Sequence, residues 1–249
     1  MTQRLSASTQ WKEYYASLSK TNNFYPENFV TRVFLSKSPV EFLNDNYIGK
    51  TILDLGCGHG RSIPFLVNNG FAVTGLEVSE EQVNLLKTRF PEQDFLMGVA
   101  NNIPASDKQF DYVLACNSIY YLDQDQTTLH DNFAEVARVL KPGGRFVFSL
   151  LGRQHSIFDG SAELPNHVFK IKNDFLGFRQ ECRVQIFDKE LINNELAEFT
   201  LLHHGELLET VAGTTRHIHY FVASLKLSFA TLFCISVNGR LAIRSNIDK

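Results

Sequence analysis

Cysteine is scarce and scattered. The 249 residues hold Cys57, Cys116, Cys182 and Cys234, with no CxxC pair and no Cys/His spacing suited to zinc. Together with a polar N-terminus that lacks an apolar signal core, this usage points to a reduced, cytoplasmic setting. No long run of Lys or Arg accompanies the formal net charge of −3, so a nucleic-acid partner lacks its electrostatic footprint and none is expected. No apolar run reaches the roughly 20 residues of a spanning helix. The nearest approach, "LSFATLFCISV" from Leu227, is short and carries polar residues, so no membrane partner is expected either. Nor does a Pro-, Ser- or Gly-rich linker interrupt the periodic segments, which favours one large domain with a sizeable core.

What is present begins at Lys50. Short apolar runs at Thr51–Leu55, Ala72–Glu77, Phe95–Gly98, Phe110–Cys116 and Arg145–Leu150 read as strands. Helical patterns at Ser62–Asn69, Ser79–Arg89 and Thr127–Leu140 lie between them, and this alternation predicts parallel strands joined by crossover helices. Ser79 with Gln82 three residues on fits a capping box, and "KPGG" after the third helix reads as a stop followed by a tight turn. Past Leu150 the pattern changes. Arg179–Phe187 reads as an extra strand and Asp188–Glu198 as a helix; Leu201–Thr210 and Arg216–Leu225 are strands joined by "VAGTT", which would append an antiparallel edge. The leader, Thr2 to Asn46, reads as aromatic-rich helices whose spacing suits core packing.

The chemistry concentrates in "TILDLGCGHGRS". An apolar strand ending in Asp54, then Gly56, Gly58 and Gly60, then a helix, presents backbone N–H groups and a helix N-terminus at the carboxyl end of a sheet. The spacing is GxGxG, with Arg61 where a dinucleotide fingerprint wants its third glycine, so the balance moves from a pyrophosphate toward another nucleoside ligand. About twenty residues on, the next strand ends in Glu77, where a carboxylate can accept both hydroxyls of a ribose or, as an alternative, cap the following helix. His217 and His219 alternate on one strand and so face one side, as a polar wall or half a metal site. No third ligand with metal-like spacing accompanies them, and no metal is assigned.

Five stretches in this order, "ILDLGCGHGRS", "GFAVTGLEVS", "GVANNIP", "FDYVLACNSIYYL" and "LKPGGRFVFSL", make the chain resemble the class I S-adenosylmethionine-dependent methyltransferases from about Trp11 to Leu225. The resemblance implies an α/β, Rossmann-like, seven-stranded, mostly parallel sheet with an antiparallel last strand, helices on both faces and an N-terminal helical lid. The domains that follow are a lid over 1–46, a core over 47–226 and a tail over 227–249 of open role, either an accessory element or a self-association surface for a homodimer.

By the same resemblance S-adenosyl-L-methionine is the cofactor and S-adenosyl-L-homocysteine the product. Asp54 and the turn Gly56, Cys57, Gly58 and Gly60 would lie beside the aminoacyl part, with Asp54 receiving the ammonium. Glu77 would hold the ribose and Val78 would pack on the adenine. Asn117 would offer its backbone carbonyl to the ammonium. Where the family often has an acid, this chain has Val99, which leaves the backbone of Val99 and Ala100, with Asn101 as a substitute side chain, to meet the adenine amino group. Lid residues Tyr14, Tyr15, Tyr25 and Arg32 become contacts to cofactor or acceptor, Arg32 as a carboxylate partner.

A sulfonium methyl is already electrophilic, so alignment of a nucleophile is the main requirement. If a base is needed, His155 in the loop "GRQHSIFDG" comes first, and Tyr120, Tyr121, His217 and His219 are further choices. The expected reaction is methyl transfer to an oxygen or nitrogen of a small-molecule acceptor. The alternatives are a cofactor-binding protein of the same fold without transfer activity and a methyltransferase of a macromolecule.

Overall fold

A computed structural model of the chain describes residues 25–35, 37, 42–43, 45–122, 126–172, 179 and 181–227. In chain order its strands are β1 (Thr51–Leu55), β2 (Ala72–Glu77), β3 (Asp94–Met97), β4 (Phe110–Ala115), β5 (Tyr121–Leu122), β6 (Leu140–Leu151), β7 (Ala162–Leu164), β8 (Val168–Lys170), β9 (Arg183–Gln185), β10 (Phe199–Val211) and β11 (Thr214–Leu225). Seven of them form the central sheet, in the order β10-β11-β6-β4-β1-β2-β3. Neighbours pair in parallel except β11, which runs antiparallel to both β6 and β10. The doubly wound α/β fold implied above is therefore the observed one. Strand order reverses between β1 and β4, and in open α/β sheets the crevice beyond the strand ends at such a switch point is where ligands bind.

The helices are α1 (Asn28–Leu35), α2 (Ile63–Asn68), α3 (Glu80–Arg89), α4 (Leu129–Val139) and α5 (Lys189–Glu195). Successive residues of a strand face opposite sides, so β6 sends Phe146 and Phe148 into one apolar cluster with Phe133 of α4, and Val147 into the other. The second cluster also holds Phe29, Val30, Val33 and Phe34 of α1 with Ile52, Leu66 and Phe71. The described part of the leader thus packs as core. Phe34 meets Tyr47, Phe65, Phe71 and Tyr112 edge-on or tilted.

Several local expectations are refined by contacts that only the fold supplies. The "KPGG" turn is absorbed into β6: the register against β4 passes from Phe110↔Leu140 to Tyr112↔Arg145, so the intervening residues loop out within the strand. Gly143 has φ 76°, and a Cβ on Gly144 would lie 2.8 Å from the Lys141 carbonyl, so both glycines are required. Ser79 caps α3 by accepting the Gln82 N–H, but the Gln82 side chain donates to the Gly58 carbonyl at 3.0 Å instead of returning to the cap. A reciprocal capping box exists at Thr128 and Asp131, at the start of α4. The segment Arg179–Phe187, expected as an extra strand, contributes only β9. This strand belongs to a separate four-stranded sheet in the order β5-β9-β8-β7. The last hairpin closes on Ala212 (φ 51°) and Gly213 (φ 79°), two positive-φ residues of the mirror-image turn that matches strand twist. The expected tail beyond Leu227, the leader before Tyr25, and with it Tyr14 and Tyr15, lie outside the described residues.

Candidate functional site

β1 is apolar because both of its faces are buried, Leu53 in one cluster and Ile52 in the other, and it carries a charged residue near its end in the middle of the sheet. Asp54 stands opposite Gly75 of β2 and Leu114 of β4 and is 2% exposed. Its Oδ2 has no hydrogen-bond partner among the described residues. Burial, reinforced by the charge of Glu77 and opposed by Arg61, pushes its pKa up to about 7.

The turn after β1 uses Gly56, Gly58 and Gly60 at φ 70°, 59° and 86°, a region that side chains rarely tolerate. At Gly56 a Cβ would sit 2.4 Å from the Cβ of Ser118, whose hydroxyl donates to the Leu55 carbonyl at 2.5 Å. The chain after β4 therefore lies flush on the glycine turn. Cys57 is buried between β1 and β2, and burial, with Asp54 and Glu77 nearby, holds its thiol well above the ordinary range.

Glu77 ends β2 at 4% exposure. Its Oε2 accepts the Gly58 N–H at 3.0 Å and its Oε1 the Val78 N–H at 2.8 Å. Burial raises its pKa against the pull of these N–H groups and that of Ser79. The carboxylate thus staples the glycine turn to the chain leaving β2, while the cap of α3 itself is made by Ser79. Val78, Val99, Ala100 and Asn101 are half-buried around the ends of β2 and β3. Asn101 donates to Thr127 at 3.3 Å, while its Oδ1 is buried without a partner among the described residues. Asn117, past β4, adopts φ 58°; its N–H donates to the Ser149 hydroxyl at 2.9 Å and that hydroxyl donates back to its Oδ1 at 3.1 Å.

Sequence reasoning missed the ion cluster at the mouth of this crevice. Glu27, just before α1, takes Arg61 on Oε1 at 2.8 Å and Arg216 of β11 on Oε2 at 2.9 Å. Asn117 Nδ2 approaches the same Oε1 at 3.4 Å. Burial works to raise the Glu27 pKa, yet the two guanidinium groups outweigh it and hold the carboxyl low. Only Arg61 could have been suspected, from its place directly after the glycines. Arg32, the expected carboxylate partner, is on the exposed side of α1, opposite the buried Phe29, Val30, Val33 and Phe34, and Tyr25 is 76% exposed.

Of the groups expected as bases, His155 is 9% exposed and caps a short 3-10 turn, its Nδ1 accepting the Ile157 N–H at 3.1 Å. Burial, with Arg179, Arg216 and His217 adding to it, lowers its pKa to about 4, so the ring is neutral with Nδ1 engaged. Tyr120 is 3% exposed in the core, and burial followed by Tyr121 keeps its hydroxyl protonated. His217 and His219 do share one face of β11, both buried.

Against known proteins, residues 53–148 match the family described as "Methyltransferase domain". The chain is 34% identical over 120 residues to the phthiotriol/phenolphthiotriol dimycocerosates methyltransferase of Mycobacterium tuberculosis, covering 47% of this chain and 43% of that one. It is 34% identical over 105 residues to the fatty-acid O-methyltransferase of Mycolicibacterium smegmatis, covering 41% of this chain and 37% of that one. The chain thus spans less than half the length of these curated relatives. Among solved structures, a SAM-dependent methyltransferase from Methanosarcina mazei superposes with a TM-score of 0.60 at 21% identity, covering 74% of this chain and 96% of that one.

Proposed function

We propose that this chain, which carries a class I S-adenosylmethionine-dependent methyltransferase domain, transfers a methyl group from S-adenosyl-L-methionine to an oxygen or nitrogen of a small-molecule acceptor, with S-adenosyl-L-homocysteine as the product. The observation that carries the reading is Asp54. A buried carboxylate oxygen with no partner is costly, and a ligand ammonium arriving beside the glycine turn would satisfy it.

The other groups fit the same ligand. Each Glu77 oxygen already accepts one backbone N–H but has a second lone pair, so the carboxylate can still receive two ribose hydroxyls. Asn101 Oδ1 is a buried acceptor in need of a donor, which an adenine amino group would provide, while Val78, Val99 and Ala100 flank it. The Gly56, Cys57, Gly58 and Gly60 turn allows close approach of the aminoacyl chain, and the Asn117 carbonyl is a second acceptor for its ammonium. The cofactor supplies an electrophilic sulfonium methyl. The chain's task is then to hold that methyl in line with the acceptor atom and exclude water; an acceptor already deprotonated needs no general base, while a hydroxyl or protonated amine must pass its proton to a nearby base or to water.

The two relatives are named for lipid and fatty-acid acceptors, and this supports an apolar small molecule as the class to try first. The loop containing His155, after β6, is the expected acceptor side. His155 serves there as a neutral polar wall, or as a base through Nε2 after a tautomer change.

Calorimetry with S-adenosyl-L-methionine, S-adenosyl-L-homocysteine and NAD tests the cofactor: the first two should bind and NAD should not. Tighter NAD binding would remove the assignment. Incubation with methyl-labelled cofactor and fractionated metabolites tests the transfer; cofactor binding with no labelled fraction would favour the binding-protein alternative.

A further inference from the structure

The β10–β11 hairpin gathers a set of ligand-bearing side chains that the glycine-turn site does not use. His204 and Glu206 are two apart on β10 and share a face. Glu206 pairs directly across from His219, with His217 two residues before it on β11. His204 Nε2 lies 3.0 Å from His219 Nδ1. The ligand atoms of Glu206, His217 and His219 all lie within 4.8 Å of one another.

These four are not equivalent. His217 Nδ1 accepts the Gln154 N–H at 3.1 Å, so its neutral ring carries hydrogen on Nε2, which donates to Glu206 Oε1 at 2.8 Å. Neither nitrogen of His217 is then free for an ion. Its effect is to orient the carboxylate, in the manner of the hydrogen-bonded partners that surround metal ligands. His204, His219 and the second oxygen of Glu206 remain as two imidazoles and one carboxylate on the same face.

We propose that His204, Glu206 and His219 form a binding site for a single divalent transition-metal ion of the zinc class, with His217 as the positioning residue for Glu206. Ligands about 2.0–2.2 Å from such an ion stand roughly 3.3 Å apart around a tetrahedron, so the two imidazole nitrogens need separate by only a few tenths of an ångström. Two nitrogens with one oxygen select Zn²⁺, Co²⁺ or Ni²⁺ over the oxygen-seeking Mg²⁺ and Ca²⁺. His204 is exposed and the Glu206 side chain is 52% exposed, which gives the ion a path from solvent and leaves coordination positions for water. The site stands independently of the methyl-transfer reading.

Untagged full-length chain, stripped with a chelator, is titrated with Zn²⁺ against a chromophoric competitor, and with Co²⁺ while its visible absorption is followed. One ion per chain is expected, with the intense Co²⁺ bands of a low-coordinate nitrogen and oxygen site. His204→Ala and Glu206→Gln change exposed side chains, so the fold should survive, as circular dichroism will check. Each should raise the Zn²⁺ dissociation constant more than about 100-fold, and His217→Ala about 10-fold to 100-fold. His203→Ala, on the opposite face of β10 beside Phe42, should change nothing. Absence of stoichiometric binding, wild-type affinity in the His204 and Glu206 variants, or an equal loss in the His203 variant would overturn the site and leave the histidines as a hydrogen-bonded ladder.

Discussion

Replacing Asp54 by asparagine separates what this carboxylate does for binding from what it does to stability. In the folded chain its pKa stands at about 7, against 3.8 for the free side chain. The folded state therefore holds this proton more tightly than the unfolded chain. Stability from this group is full in acid, is lost as pH rises from the ordinary carboxylate range to about 7, and is level beyond. A shift of roughly three units at 1.4 kcal/mol each amounts to about 4 kcal/mol, of which about 2–3 kcal/mol falls between pH 5 and pH 8. In Asp54→Asn the amide keeps the shape without the charge, so the variant should lose that slope, and its stability relative to wild type should improve from pH 5 to pH 8. Cofactor affinity should move the other way. Loss of a charge-assisted hydrogen bond costs about 1.5–3 kcal/mol, a roughly 10-fold to 150-fold rise in Kd. In the wild type, binding near pH 6.5 should also release part of a proton as Asp54 ionises against the ligand ammonium. Urea unfolding of the ligand-free protein at three pH values, with calorimetry in buffers of different ionisation enthalpy, measures all three quantities. Parallel pH slopes for wild type and variant, or an unchanged Kd, would refute the reasoning.

The remaining predictions use the same assays. Glu77→Ala should weaken cofactor binding by about 1.5–3 kcal/mol if the proposed ribose contacts are made. The substitution also frees Gly58 and Val78 N–H groups, so a loss of binding free energy larger than the loss of unfolding free energy is the outcome that counts for binding. Gly56→Ala forces a positive φ and a clash with Ser118, and should destabilise the chain by about 1–3 kcal/mol while lowering affinity. Phe34→Ala, in the aromatic cluster under α1, should cost about 3–5 kcal/mol by denaturant unfolding, whereas the exposed Arg32→Ala should leave Tm within error. If Arg32→Ala instead raised the cofactor Kd severalfold, the lid role of that arginine would stand.

Most of the fold could be read because its signals are local. β1 and β2 begin and end where the apolar runs do, since strands buried on both faces must be apolar throughout and stop where glycine or charge begins. The hairpin that makes the last strand antiparallel also announced itself, through two long strand patterns around a short Ala-Gly turn. The small second sheet did not. Its strands are two or three residues long, too short for periodicity to register, and exist because β5, β7, β8 and β9 complete one another's backbone hydrogen bonds.

Around the glycine turn, sequence alone determined the positions that backbone geometry fixes: Asp54 near a strand end, three glycines in a turn, and Glu77 at the end of the next strand. Those constraints lie within about 25 consecutive residues, and residue type expresses them directly. Tertiary structure alone decided the rest. Glu27, Arg61 and Arg216 are far apart in the chain and meet only because α1 packs beside the glycine turn while β11 inserts next to β6. His217 and His219 read as half a site until strand register set Glu206 opposite His219 and brought His204 onto the same face. Pairing between distant segments is governed by packing and by the register of the whole sheet, and no single segment carries that information.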